Sequence, residues 1–222
     1  MQVLFLVSHI DASEEGDLVG DILYVQCPAG YRNIVQKTKA MLSIVTHFNH
    51  KYLMKSDDDT FVCLNRVAKR MFTLPPAVKE KVYAGIPTAC GLESNPHIGR
   101  VIKDPNHKWH DAKFVSHTLG GLDCYPAYHQ GAFYLLSEPL VQYLHQGRSK
   151  LLTFTNEDVT MGSWLMGVDR EMIAFNSISE ARLWECTCAK YTKWLKYDTN
   201  AFFHNCKSLD QLQKCAEFLP FC

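Results

Sequence analysis

The chain lacks several features that would each assign it to a class. It has no net charge, with 23 Lys and Arg side chains against 23 Asp and Glu. A sequence-wide basic field for nucleic acid is therefore excluded. It also lacks a long apolar run. The N-terminal MQVLFLV holds only six apolar residues and no basic residue ahead of them, too short for a signal peptide or a membrane span. That segment reads as a buried strand, and either the protein is cytosolic or a leader and membrane anchor lie outside this chain. No Asn-X-Ser/Thr sequon occurs, so secretion gains no support from glycosylation signals. Internal repeats and linker-like boundaries are missing too, which leaves one domain over residues 1–222 as the expectation.

What is present begins with 222 residues, 47% of them hydrophobic, enough for one substantial core. Nine cysteines occur, and five of them (Cys186, Cys188, Cys206, Cys215, Cys222) crowd the last 37 residues. Such crowding suggests disulfides in an oxidising compartment or a metal site, and the odd total leaves a thiol unpaired within the monomer.

Short apolar runs alternate with helical patterns, as in an α/β domain. Strands are expected at Val3–Val7, Ile22–Val25, 51–55, Val82–Ile86 and Ala132–Leu136. From Tyr31 to Phe48 the residues Ile34, Thr38, Met41, Val45 and Phe48 recur at helical spacing and place one helix face on a core. Further helices are expected at Leu64–Phe72, closed by Pro75 and Pro76, at Glu138–His145, and from near Asn156. Residues 87–128, rich in Gly, Pro, His and Asn, read as a long functional loop with little regular structure.

Four stretches could carry chemistry. In KYLMKSDDDTFV, residues 51–62, three adjacent carboxylates (Asp57, Asp58, Asp59) follow an apolar strand and precede a helix. Ligands in open α/β sheets bind outside the carboxyl ends of strands, and clustered hard oxygens suit Mg²⁺ or Mn²⁺. The competing reading is a solvated helix start favoured by the macrodipole. In TFTNEDVTMGSWL, residues 153–165, Asn156 is placed to cap a helix whose first turn holds Glu157 and Asp158. Its dipole would keep Asp158 ionised, as a general base requires, or the pair merely stabilises the helix start. In YPAYHQGAFYLLS, residues 125–137, Tyr125 and Tyr128 lead to Gly131 as a sugar platform or as core packing. Finally, Cys186, Cys188, His204 and Cys206 give a C-x-C…H-x-C pattern. Its one-residue spacing is tighter than zinc sites use, so disulfides are expected and His204 stays unassigned by spacing alone.

Taken in order, these stretches resemble the β-1,3-galactosyltransferase and N-acetylglucosaminyltransferase family, glycosyltransferase family 31. GDILYVQCPAGYRNIVQKTKAML is similar to its GD(I/L)L…D…Y.NLT.K segment, and KYLMKSDDDTFV to (F/Y)(V/L)(L/M)K.DDD.F(V/A). The KW at 108–109 with YPAYHQGAFYLLS is similar to KW…YP.Y..GGGYVLS, and NEDVTMGSWL to EDV..G.WL. Through FFHNCKSLDQL the chain is similar to the branch that extends the proteoglycan linkage region. The resemblance implies an α/β, GT-A-like (Rossmann-like) nucleotide-sugar fold with a central mixed, mostly parallel sheet. It implies a UDP-sugar donor such as UDP-galactose, a divalent metal, Mn²⁺, and transfer with inversion to a glycan, glycoprotein or proteoglycan acceptor at the lumenal side of the Golgi membrane. It assigns Asp59 and His204 to the metal, Asp57 and Asp58 to the ribose and donor sugar, and Asp158 to the base with Glu157 beside it. Lys37, Trp109, Tyr128 and Gly131 fall at motif positions expected to touch substrate.

The family has about 50 further catalytic-domain residues upstream, so this chain is expected to start near the second strand, without the anchor. The family's Gly triplet is GAF here, and bulk at Ala132 and Phe133 is expected to narrow the pocket. Two other classes compete with an active transferase. One is an inactive relative that binds a nucleotide sugar or a partner, and the other is a metal-dependent phosphohydrolase, which lacks an evident second ligand cluster.

Overall fold

The structure, a computed structural model, describes residues 2–91, 98–175 and 201–218. Cys186, Cys188 and Cys222 lie outside the described residues. The N-terminal apolar run forms β1 (Phe5–His9), not buried as expected but with Val3, Phe5 and Val7 exposed on one side of a small sheet, followed by β2 (Asp17–Val19) and β3 (Ile22–Gln26). β3 pairs parallel with β1 and antiparallel with β2, giving a small three-stranded sheet.

The helix read from the 34–48 spacing is α1 (Ile34–Ile44), extended at both ends by single 3₁₀ turns. Its predicted face is the buried one, with Thr38, Met41 and Val45 all enclosed. β4 (Tyr52–Ser56) runs into the aspartates. The short β5 (Phe61–Val62) and α2 (Leu64–Thr73) follow. Leu74, in extended conformation, ends α2 directly before Pro75, as the steric bias of a pre-proline residue requires. The single-turn α3 (Pro76–Lys79) leads to β6 (Val82–Thr88).

β7 (Tyr128–Ser137) is the organising element of the larger sheet, whose order is β4-β7-β6-β8. Three strands, β4, β6 and β8 (Glu171–Ala174), run in one direction, and β7 runs against them between β4 and β6. The mixed sheet with mostly aligned strands therefore matches the expectation. Successive side chains of β7 point to opposite faces. Tyr134 and Leu136 join Tyr83 against α1, α5 (Glu138–Gly147) and α6 (Glu157–Leu165). Phe133 and Leu135 join Val82 and Ala84 against Val67 and Met71 of α2, with Phe175 and Phe202. Fully burying each such large apolar side chain contributes about 1.5–3 kcal/mol, so β7 is clamped from both faces.

The 87–128 stretch is more structured than its composition suggests. α4 (Ala112–His117) is capped by Asp111, which accepts the Phe114 N–H. A Cys90–Cys124 disulfide closes the loop at its base, beside a bridge between Arg100 and Cys124. Under it Val101, Phe114, Tyr125, Phe154 and Val159 form a satellite core. Tyr125 is thus packing rather than platform. Beyond residue 200, β9 (Phe202–Phe203) pairs antiparallel with β5, and α7 (Leu209–Phe218) follows.

Candidate active site

The carboxyl end of β4 and the start of β7 lie side by side because the two strands are antiparallel neighbours, with Ser56 opposite Phe133. The pairing continues one step further, as the Asp57 N–H donates to the Ala132 carbonyl at 3.0 Å. The chain then turns: the Thr60 N–H reaches back to the Asp57 carbonyl, leaving Asp58 exposed at the tip and Asp57 and Asp59 half-buried. β9 brings His204 to this turn. Its backbone neighbours lock onto the same loop, since Cys63 donates to the Ala201 carbonyl and Cys206 to the Asp59 carbonyl. The His204 Nδ1 lies 3.0 Å from Thr60 Oγ1 and 3.1 Å from Asp59 Oδ1.

Ligand atoms of Asp57, Asp59 and His204 all lie within 4.8 Å of one another. Two carboxylates and an imidazole form a donor set that a divalent first-row or Mg²⁺-type ion accepts. The Asp59 Oδ1 is buried, with the His204 ring 3.1 Å away and no hydrogen-bond partner among the described residues. A buried carboxylate oxygen in that state is costly unless positive charge reaches it, and this fits a cation. Lys207, itself exposed, pairs with the other Asp59 oxygen. Among the described residues this is the one cluster with metal-holding geometry, and Asp57 joins the expected pair in it.

The carboxylates at the start of α6 face this cluster across Gly131. Glu157 is buried, and its Oε1 accepts the hydroxyls of Thr38 on α1 (3.1 Å) and Tyr134 on β7 (2.7 Å). Asp158 keeps a partly accessible edge but is crowded by protein. That burial, with the Glu157 charge beside it, pushes its carboxyl up to about 6 from 3.8. Backbone N–H groups of Val159 and Gly131, and then Lys55, pull the other way. The helix start alone, therefore, does not set its ionisation. An acid near 6 still carries its charge at neutral pH and remains basic enough to take a proton.

Asn156 stands at the N-cap position, yet its side chain makes no cap bond. Its Nδ2 donates to the Trp109 carbonyl at 2.9 Å instead. The backbone N–H groups of Thr155 and Asn156 both donate to the buried Asp111 carboxylate, at 2.6 and 3.1 Å. Asp111 thus fastens the 98–125 loop to the start of α6, and brings half-exposed Trp109 beside it. Lys108 lies over the Trp109 and Tyr31 rings, 5.3 Å from each centroid.

Tyr128 packs on α6, where a Cβ on Gly162 would come within 2.5 Å of the Tyr128 Cβ. Gly131 lies directly over Glu157 and Asp158. Phe133 turns into the core against Phe202 and Phe175 rather than into the pocket, so its bulk does not narrow the site. Lys37 is half-buried on α1, and no described contact joins it to the aspartates. Asp57, Asp59, His204, Gly131, Glu157 and Asp158 are brought together, with Trp109 and Tyr128 at the margin.

Sequence reasoning missed Lys55, Thr38, Tyr134, Asp111 and Lys207. The lysine had a signal, a charge inside the otherwise apolar strand YLMKS. The Thr38 and Tyr134 hydroxyls had none, because only the tertiary fold carries them to Glu157. The zinc alternative fails here, since Cys206 is disulfide-bonded, as are Cys63 and Cys215. Cys27 is a buried free thiol.

Comparison with known proteins agrees with this geometry. The model of the galactosyltransferase family matches residues 6–175. The chain is 29% identical over 162 residues to mouse beta-1,3-galactosyltransferase 6, covering 72% of this chain and 44% of that protein. It is 27% identical over 156 residues to UDP-GalNAc:beta-1,3-N-acetylgalactosaminyltransferase 2 of Xenopus tropicalis, covering 70% of this chain and 28% of the relative. Against probable beta-1,3-galactosyltransferase 5 of Arabidopsis thaliana it is 30% identical over 145 residues, 65% of this chain and 33% of the other. The chain thus aligns with less than half of each curated relative.

Proposed function

The chain belongs to the galactosyltransferase family, with the mixed α/β, GT-A-like architecture of glycosyltransferase family 31, and from that premise we propose that it is a metal-dependent inverting glycosyltransferase. It moves a hexosyl group, galactose, from UDP-galactose to a glycan hydroxyl in β-1,3 linkage. The observation that carries this reading is the pairing of two half-sites on one peptide. The Asp57–Asp59–His204 cluster lies on one side of Gly131, and the reachable, poorly solvated Asp158 on the other.

Asp59 and His204, with Asp57, would hold a divalent ion such as Mn²⁺, which when bound offers positive charge to a diphosphate. Asp57 and exposed Asp58 are placed to meet the ribose and donor sugar. Asp158 takes the proton of the acceptor hydroxyl as that oxygen bonds to the anomeric carbon and the bond to UDP breaks. Glu157, held by Thr38 and Tyr134, keeps the start of α6 in place, and Trp109 and Tyr128 flank the acceptor side. Lys37 is the remaining donor-side contact, reached from α1. Residues 1–222 form a single catalytic domain in this reading. It works at the lumenal side of the Golgi membrane on a glycoprotein or proteoglycan, anchored by a segment beyond this chain. Among the described residues no helix is long and apolar enough to cross a membrane.

One observation favours a second reading, a relative that binds nucleotide sugar without transferring it. Lys207 pairs with Asp59 and so competes with a metal for that carboxylate. Calorimetry tests the metal dependence that this pairing puts in question. UDP affinity should fall sharply with a chelator and in Asp59→Ala. Equal affinity with and without divalent metal would overturn the metal-dependent reading.

A further inference from the structure

Lys55 is the charged residue at the centre of this site that family motifs leave without a task. Its side chain is only 14% exposed. A lysine so enclosed is costly unless its ammonium is paired and hydrogen-bonded. It donates to Asp57 Oδ1 and to the Gly131 carbonyl. Gly131 also allows β7 to lie close on α6, because a Cβ there would stand 3.6 Å from Glu157 Oε2 and 3.9 Å from Asp158 Oδ2. One glycine therefore holds the lysine on its carbonyl and lies against the candidate base.

Resting on the function proposed above, we propose that Lys55 is a positioning residue which, through Gly131, fixes the base on α6 against the aspartates that follow β4. Paired with Asp57 and held by the Gly131 carbonyl, its ammonium stands in the site as a cation. The groups facing Asp158 are Glu157 on its own helix, Lys55 from β4, the Tyr83 phenol from β6 and the Tyr125 phenol from the loop ahead of β7. Of these, Lys55 supplies the positive charge. Removing it takes a favourable charge from Asp158 and a donor from the Gly131 carbonyl at once. A lysine present only for packing would change stability and leave the base as it was.

The experiment is a ¹³C NMR titration of Asp side-chain carboxyls in the metal-free protein, with the Asp158 signal identified by its loss in Asp158→Asn. Lys55→Met and Lys55→Gln should raise the Asp158 midpoint by on the order of one pH unit. Lys55→Arg, which keeps the charge, should leave it within a few tenths. An unchanged midpoint in a folded neutral variant overturns the proposal. Should both neutral variants unfold, the wild type still decides. The Gly131 amide and carbonyl shifts must both follow the Asp158 titration, and a Gly131 that does not respond overturns the proposal equally. The readout needs no turnover, so a wild type that transfers no sugar refutes the proposed function while the part played by Lys55 is still measured.

Discussion

Asp158 is held between opposing influences, and their balance sets both its chemistry and a cost to the fold. Burial and the neighbouring Glu157 place its carboxyl at about 6, above the ordinary 3.8. As a base it must be ionised, so transfer should rise with pH through about 6 and level off above it. Asn is nearly isosteric but takes no proton, and Asp158→Asn should cut the transfer rate by on the order of 10²–10⁴ with UDP–metal affinity kept. Stability should move the other way. Between 3.8 and about 6 the folded state binds the proton more readily than the unfolded chain, so this group makes the protein more stable as pH falls through that window. Above it, the charged carboxylate weakens the fold. Asp158→Asn should therefore raise Tm at pH 7.5, with the gain shrinking towards pH 4 in calorimetric scans. A lower Tm at pH 7.5, or transfer within a few-fold of wild type, would contradict this account of the residue. Asp158 itself was legible in the sequence as an acid in a first helical turn. Its environment was legible only in part: Glu157 is its sequence neighbour, but Gly131 and Lys55 come from two strands whose meeting with α6 only the fold decides.

At the scale of elements, α6 is positioned by what it lacks. Gly162 lies in its interior, where Ala would be preferred by about 1 kcal/mol for helix propensity. A Cβ there would meet the Tyr128 Cβ at 2.5 Å and the Ala127 carbonyl at 2.8 Å. The helix and the start of β7 must then separate. Gly162→Ala should destabilise by roughly 1–3 kcal/mol despite the propensity gain. It should also lower kcat, because the separation opens between Tyr128 and the helix that carries Asp158. Chemical denaturation beside kinetics checks this, and a stabilised, fully active variant would contradict it. α1 could be read from apolar spacing, since it buries one face along its length; β6 and β7, buried on both faces, could be read as apolar runs, and α6 from its acidic start after Asn156. β2, β5 and β9, of two or three residues, have no periodicity to read. Their existence depends on a partner strand, and for β5 that partner lies about 140 residues away. α4 was hidden by a loop-like composition, and its start rests on a single capping carboxylate, Asp111.

For the whole molecule, the decisive arrangement is long-range. The β4 turn supplies the aspartates, β7 passes between them and α6, and β9 returns to set His204 beside Asp59. Disulfide-bonded Cys63 and Cys206 flank that return, so the closing of the site is tied to covalent staples as well as to backbone pairing. The order of motifs could be read from the sequence, and so could the aligned strands of the mixed sheet. His204 was assigned to the metal only through the family resemblance, because nothing in FFHNC by itself states which strand it will pair with. In the proposed function these parts together transfer a sugar. Incubation with Mn²⁺, UDP-galactose and a panel of galactose- and xylose-ended glycans, with products read by mass spectrometry and NMR, tests this directly. Acceptors extended by a single hexosyl unit in β-1,3 linkage are expected, and lost with chelator and in Asp158→Asn. Metal-dependent UDP-sugar binding with no extended acceptor, or only with free galactose released, would contradict that function.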